Sequence, residues 1–128
     1  HGPADAETGV LVWGSQQDTV CDAVDRLNAR GHEVKALGVS DLMPFPEDEV
    51  ASFLESVEDC LVVEMNATAQ FRGLVQQELG RYGPKMTSLL KYDGEPFEPG
   101  EIVDGFESTV EGDEPLTGNM RIEPAAGD

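Results

Sequence analysis

Glu64 and Asn66 stand at the end of an apolar run, Leu61-Val62-Val63, and a polar, helix-compatible segment follows from Ala67. A buried strand of a parallel sheet reads this way where it emerges at its carboxyl edge. Open α/β sheets meet ligands and partner domains at that edge. A carboxylate and an amide there could take part in catalysis or hold a cation. The structural reading competes: a carboxylate at the tip of a buried strand needs a hydrogen-bond partner, and Asn66 is placed to cap the next helix. The structural reading is preferred, and metal binding ranks last, because nothing nearby has ligand spacing with the right count.

Lys91-Tyr92-Asp93-Gly94 carries three polar groups and a turn glycine just past another apolar run, Met86 to Leu90. Lys91 could close a salt bridge to Glu64 or Asp93, or the loop could dock another domain. Both readings stay open. Gly14-Ser15 follows the apolar Val10-Leu11-Val12-Trp13, but Trp13-Gly14-Ser15-Gln16-Gln17 is neither G-x-G-x-x-G nor a P-loop. A tight strand-to-helix turn is therefore preferred over a phosphate cradle. His32, beside Gly31, has no acid–base partner in sequence and reads as an exposed loop residue. The serines include no G-x-S-x-G elbow. Cys21 and Cys60 form no C-x-x-C pair and read as two buried thiols of a cytoplasmic chain. No apolar run approaches a membrane span.

The 128 residues suit one domain with a single core. The 26 acids outnumber the 8 bases, for a formal charge of −18. Nucleic acid and anionic membranes are excluded as partners, because phosphate binding needs Lys and Arg to displace counterions. The acids are spread along the whole chain, and lysine is scarce (Lys35, Lys85, Lys91). That distribution favours adaptation to high salt over a surface that recruits a basic partner. At 1 M salt the Debye length is roughly 3 Å and self-repulsion is largely screened. The expected result is a melting temperature that falls as salt is withdrawn; one independent of ionic strength would refute this reading.

The elements that position these residues follow from periodicity. Val20, Val24 and Leu27 fall on one helical face between Asp18 and Arg30. Ser15 or Asp18 can cap that helix, and Gly31 suits the left-handed residue after it. Glu33 to Val39 reads as a strand. Leu42-Met43-Pro44-Phe45-Pro46 is a stiff turn, and Pro46 with Glu47, Asp48 and Glu49 opens a helix carrying Val50, Phe53, Leu54 and Val57 inward. Cys60 to Val63 is a strand. Ala67 to Arg81 is a helix with Phe71, Leu74, Val75 and Leu79 inward, and Pro99 begins a last short helix through Phe106. The β-α-β-α-β-α-β-α order predicts an α/β fold: a three-layer helix–sheet–helix with a mostly parallel sheet. Residues 1–8 read as a lead-in, 9–106 as the domain and 107–128 as a flexible acidic tail.

Four motifs then occur in an informative order: Val12-Trp13-Gly14-Ser15, Leu42-Met43-Pro44-Phe45-Pro46, Val62-Val63-Glu64-Met65-Asn66, and Leu89 through Phe97. Over residues 9–106 the chain resembles the C-terminal region of the α subunit of 2-oxoacid:ferredoxin oxidoreductases of the pyruvate and 2-oxoglutarate type. That region is similar to the C-terminal domain of transketolases, and the acidity resembles that of a halophilic archaeal member. The resemblance implies a sheet of four or five strands, one of them antiparallel. Four strands are legible; the fifth must come from the tail or the lead-in, or be short.

The implied activity of the whole enzyme is oxidative decarboxylation of a 2-oxoacid to an acyl-CoA, with electrons passed to ferredoxin. Thiamine diphosphate, Mg²⁺, an iron–sulfur cluster and CoA are its implied cofactors and co-substrate, held on other domains of the α subunit and on a β subunit. No catalytic, cofactor or metal residue carries over. The matched positions, Gly14, Ser15, Pro44, Phe45, Pro46, Glu64, Met65, Asn66, Lys91, Tyr92, Asp93 and Gly94, carry over as structural or interface residues. A chain that begins His1-Gly2-Pro3 fits a fragment cut at a domain boundary. The alternatives are the equivalent domain of another thiamine enzyme (a transketolase or a dehydrogenase β subunit) and a regulatory module that binds a small anion at Gly14-Ser15.

Overall fold

Val10, Leu11 and Val12 are all buried in succession, which requires a strand covered on both faces. The computed structural model describes residues 1–40, 45–65, 70–91, 95–111 and 120–123. Its elements are β1 (Thr8–Trp13), α1 (Gln17–Ala29), β2 (Val34–Val39), α2 (Glu47–Ser56), β3 (Asp59–Glu64), α3 (Gln70–Glu78), a 3-10 helix (Gly80–Lys85), β4 (Met86–Lys91), α4 (Pro99–Glu111) and β5 (Met120–Glu123). The strand order is β2-β1-β3-β4-β5. The first four strands are parallel, and β5 runs antiparallel to β4 with Leu89 opposite Ile122.

Alternation along each strand divides the core in two. Val10, Val12, Val63 and Leu89 pack with Val24 and Leu27 of α1 and Ile102 and Phe106 of α4. Leu11, Val62 and Met86 pack with Val50 and Leu54 of α2 and Phe71 and Val75 of α3. This is the expected helix–sheet–helix sandwich.

Local signals account for most helix boundaries. α1 buries Val20, Ala23, Val24 and Leu27 and stops before Gly31, whose φ of +98° favours glycine. Asn28 fastens the end of α1 to β2: its amide nitrogen donates to Val24 O and Val34 O, and its Oδ1 accepts from Val34 N. The proposed side-chain caps at Ser15 or Asp18 do not form. Gln16 occupies the cap position without a side-chain cap bond, because its Oε1 accepts the Phe97 N–H at 3.0 Å instead. At the far end of α2, Lys85 Nζ donates to Leu54 O and Val57 O, both at 2.8 Å.

Several expectations are corrected. The third helix ends at Glu78, and a 3-10 helix carries the chain to Lys85. Leu74 is half-buried rather than core. The presumed tail is part of the domain in two places: α4 continues to Glu111 and Met120–Glu123 supplies the fifth, antiparallel strand. Only the unpaired edge of β4 makes so short a strand possible. The lead-in is packed too, with Ala6 fully buried and Thr8 in β1. Cys60 is buried as expected, but Cys21 is half-buried. Among the described residues, no helix is long and apolar enough to cross a membrane.

Candidate functional site

The sheet order places the first crossover on one side of β1 and the second on the other. The crevice outside the carboxyl ends of β1 and β3 is therefore the topological switch point, where open α/β sheets bind. Trp13, Gly14, Ser15, Gln16, Val63, Glu64 and Met65 line a cavity of about 220 Å³ there. Gly14 makes the turn with φ +89° and donates its N–H to Val39 O at 3.0 Å. That donor is thereby spent on the sheet rather than aimed at an anion.

Glu64 is 5% exposed. Its two carboxylate oxygens accept the backbone N–H groups of Phe71 (2.7 Å) and Arg72 (3.0 Å). Helix N–H groups are unsatisfied in the first turn and carry the positive end of the macrodipole, so the carboxylate meets both needs. The capping role expected of Asn66 is met, for these two donors, by Glu64.

Lys91 is also buried, and its described carboxylate partner is Glu101, at 2.8 Å, rather than Glu64. Its Nζ also donates to Pro96 O at 3.0 Å. Glu101 Oε1 in turn accepts the Glu98 N–H at 2.8 Å, the reach-back half of a capping box at the start of α4. Phe45 is partly buried against the α2–α3 core, and Pro46 precedes α2. Pro44, Asn66, Tyr92, Asp93 and Gly94 lie outside the described residues.

A larger cavity, about 410 Å³, opens at the opposite edge among Thr8, Asp59, Cys60, Thr87 and Thr109. Burial pushes the Cys60 thiol up to about 12, so it stays protonated and is no nucleophile at neutral pH. Both cysteines are free. Among the described residues, no three His, Cys, Asp or Glu side chains come together as a metal-binding group. The described donor set does not fit Mg²⁺ or an iron–sulfur cluster.

A model of the pyruvate:ferredoxin oxidoreductase core domain II matches residues 6–101. The chain belongs to this family. Among curated relatives, the 2-oxoacid:ferredoxin oxidoreductase subunit alpha of Saccharolobus solfataricus is 24% identical over 111 residues, covering 87% of this chain and 17% of the relative. Core domain II thus spans about a sixth of that relative. Among solved structures, the 2-oxoglutarate:ferredoxin oxidoreductase of Magnetococcus marinus, with 2-oxoglutarate, coenzyme A and succinyl-CoA bound, matches at TM-score 0.75 and 28% identity. The match covers 84% of this chain and 18% of that one. The alpha chain of a probable 2-oxoacid ferredoxin oxidoreductase from Thermoplasma acidophilum matches at TM-score 0.53 and 26% identity, over 86% of this chain and 93% of that one. The fold and α-subunit membership implied by the four motifs are therefore established.

Four residues of this core domain II escape sequence reasoning as site or clasp residues: Trp13, Gln16, Glu101 and Glu107. Trp13 was readable as the last apolar residue of a strand at its carboxyl edge. Glu98 and Glu101, three apart, carried a weak capping signal. Gln16 to Phe97 spans 81 residues and had none.

His32 corrects the exposed-loop expectation. It is half-buried against the Phe106 ring, 5.4 Å between centroids, and its Nε2 lies 3.2 Å from Glu107 Oε2. Arg30 Nη1 donates to the other Glu107 oxygen at 2.7 Å, so one carboxylate clasps α4 to the end of α1. The Arg30 hydrogen bond, followed by that of His32, holds the Glu107 carboxyl below its ordinary 4.5. A carboxyl depressed on folding contributes stability fully above the unfolded value, and loses it as pH falls through the folded one. Glu107→Gln should therefore melt lower than the parent at pH 6, with the gap closing as pH falls below about 4.5. A gap that stays constant through that window would refute the clasp.

Proposed function

We propose that this core domain II is a scaffold and docking domain of a 2-oxoacid:ferredoxin oxidoreductase α subunit. In this reading the whole enzyme oxidatively decarboxylates a 2-oxoacid to an acyl-CoA and passes electrons to ferredoxin. Thiamine diphosphate, Mg²⁺ and the iron–sulfur cluster then belong to other domains of the α subunit and to a β subunit.

One observation carries the reading. Three buried polar groups at the carboxyl edge are committed to holding the fold: Glu64 to α3, Lys91 to Glu101 and Gln16 to the Phe97 backbone. Among the described residues, what that edge offers is contact surface rather than an acid, base or nucleophile. The acid excess supports a salt-adapted, archaeal host, and the cysteine usage a cytoplasmic location.

The purified chain, supplied with pyruvate or 2-oxoglutarate, CoA, thiamine diphosphate, Mg²⁺ and an electron acceptor, should show no turnover. Measurable acyl-CoA formation would overturn the scaffold role. Calorimetry with phosphate, nucleotides and CoA should give no 1:1 heat; a clear one would favour an anion-binding module at Gly14-Ser15.

A further inference from the structure

Trp13 and Met65 are 43% and 41% exposed, the large apolar side chains so exposed among the described residues. They are not scattered. One ends β1 and the other follows β3, two adjacent central strands, and both line the switch-point crevice. Exposed apolar groups gathered in one concave place mark a contact surface, and aromatic residues and Met are enriched at the centres of protein interfaces.

The described, exposed charges on the helix turns at this edge are acidic. Each α-helix leaves the carboxyl edge of the sheet, so the first turns of α1, α2 and α4 lie at the same edge as the crevice. Asp18, Glu47, Asp48, Glu49, Glu95 and Glu98 are exposed in or just before those turns. Among the described side chains, cations do not balance them there; Arg121, which pairs with Leu90 one residue from the carboxyl end of β4, is the one basic residue outside that set. Lys91 is buried against Glu101, and the Arg72 guanidinium lies 3.5 Å from Met86 O at the start of β4. Arg26, Arg30, Lys35, Arg81 and Lys85 belong to element ends at the amino edge. Helix dipoles account for acids in first turns. They do not account for an exposed Trp and Met at the same edge.

We infer that the carboxyl-edge crevice docks a protein segment with an apolar side chain at its centre and Lys or Arg around it. The apolar group fills the space between Trp13 and Met65, and the flanking cations meet the acids of those first turns. This rests on the docking-domain reading and names the chemistry of the docked surface. Complementary charge would set orientation and association rate, while the buried apolar anchor would carry most of the affinity.

Trp13 is the chain's one tryptophan, so its emission reports directly on the crevice. The probes are two capped peptides, Lys-Arg-Leu-Phe-Leu-Arg-Lys and its acidic counterpart Glu-Asp-Leu-Phe-Leu-Asp-Glu, titrated into the purified chain at two salt concentrations at which its circular dichroism shows it folded. The basic peptide should shift Trp13 emission to the blue, and the acidic one should leave it unchanged. Met65→Asp is the deciding variant. It removes the anchor yet adds a charge that attracts the basic peptide. Docking predicts binding weaker by about tenfold or more; unspecific attraction to an acidic protein predicts equal or tighter binding. Met65→Ala, which adds no charge, should weaken binding in the same direction, and both variants should retain the parent's circular dichroism.

Any of these results would overturn the inference: no binding of the basic peptide, binding without a shift of Trp13, undiminished binding by both Met65 variants, or equal binding of the acidic peptide. A blue shift that grows with protein concentration alone would assign the crevice to a second copy of this chain, overturning it too. The turnover assay is independent. An inert chain that binds neither peptide sinks the docking surface and leaves the domain's silence standing; turnover sinks the silence whatever the peptides do.

Discussion

Leu89→Ala should destabilise the fold by about 3–5 kcal/mol, the upper range for deleting a buried leucine. Leu89 is fully buried. It sits in β4 between Val63 of β3 and Ile122 of β5, within the core that α1 and α4 close. Its methyl groups rest against Gly105 of α4: a Cβ built there would lie 2.5 Å from Leu89 Cδ2. Little can collapse into the space that Leu89→Ala leaves, because a strand and its two neighbours frame it. For a domain of this size the loss corresponds to a melting temperature lower by roughly 10 °C or more. It is also a large part of the about 5–15 kcal/mol that holds a typical domain together.

Gly105 makes the test two-sided. Gly105→Ala alone crowds Leu89 and should gain less than the roughly 1 kcal/mol expected from helix propensity, or even destabilise. In the Leu89→Ala background the added methyl enters the vacated space. The double variant should therefore be more stable than the single by more than propensity alone provides, a coupling of the kind that contacting residues show. Strict additivity in chemical or thermal melts would mean that the two side chains do not share this space.

Glu64→Ala should cost about 3 kcal/mol. Two backbone N–H groups of α3 would lose their acceptor in a buried place, and bonds to a charged group are worth about 1.5–3 kcal/mol each, short of additive. Glu64→Gln keeps one acceptor oxygen but turns an NH₂ group toward the second N–H and removes the charge that favours the helix dipole. It should fall between the parent and Glu64→Ala, about 1–2 kcal/mol down. Hydrogen exchange at Phe71 and Arg72 localises the effect: protection should drop there first, ahead of β1 and β2. If Glu64→Ala melts within 1 °C of the parent, the carboxylate is not what fixes α3 to the end of β3, and its burial would need a different reason. The contrast also bears on function, since a carboxylate consumed as a helix acceptor is poorly placed to exchange protons with a substrate.

The first four strands, α1 and α2 were legible because their signals are local. Val20, Val24 and Leu27 recur at a helical period, Gly31 supplies the residue that ends the run, and three acids after Pro46 mark the start of α2. The helix–sheet–helix sandwich followed from alternation, since parallel neighbours need a covering crossover. The domain family was legible from four short motifs in order, and the comparisons over residues 6–101 agree. The end of the chain was misread for the opposite reason. Met120–Glu123 alternates apolar and polar over only four residues, too short a run to announce a strand by itself; it is one because β4 leaves an edge for it to pair with.

By itself, then, the order of residues determined the first four strands and the helices that alternate with them, and that no metal-ligand or nucleophile motif is written along the chain. Each of those properties depends on neighbours within a few residues. Tertiary structure alone decided which partner each polar group takes: Glu64 with α3 rather than Lys91, Lys91 with Glu101, Gln16 with Phe97, and Glu107 with Arg30 and His32. It alone decided that Trp13 and Met65 share one crevice. Buried donors and acceptors are satisfied by whatever the packed layers bring within about 3 Å, and that proximity, across up to 81 residues of chain, leaves no trace in local spacing.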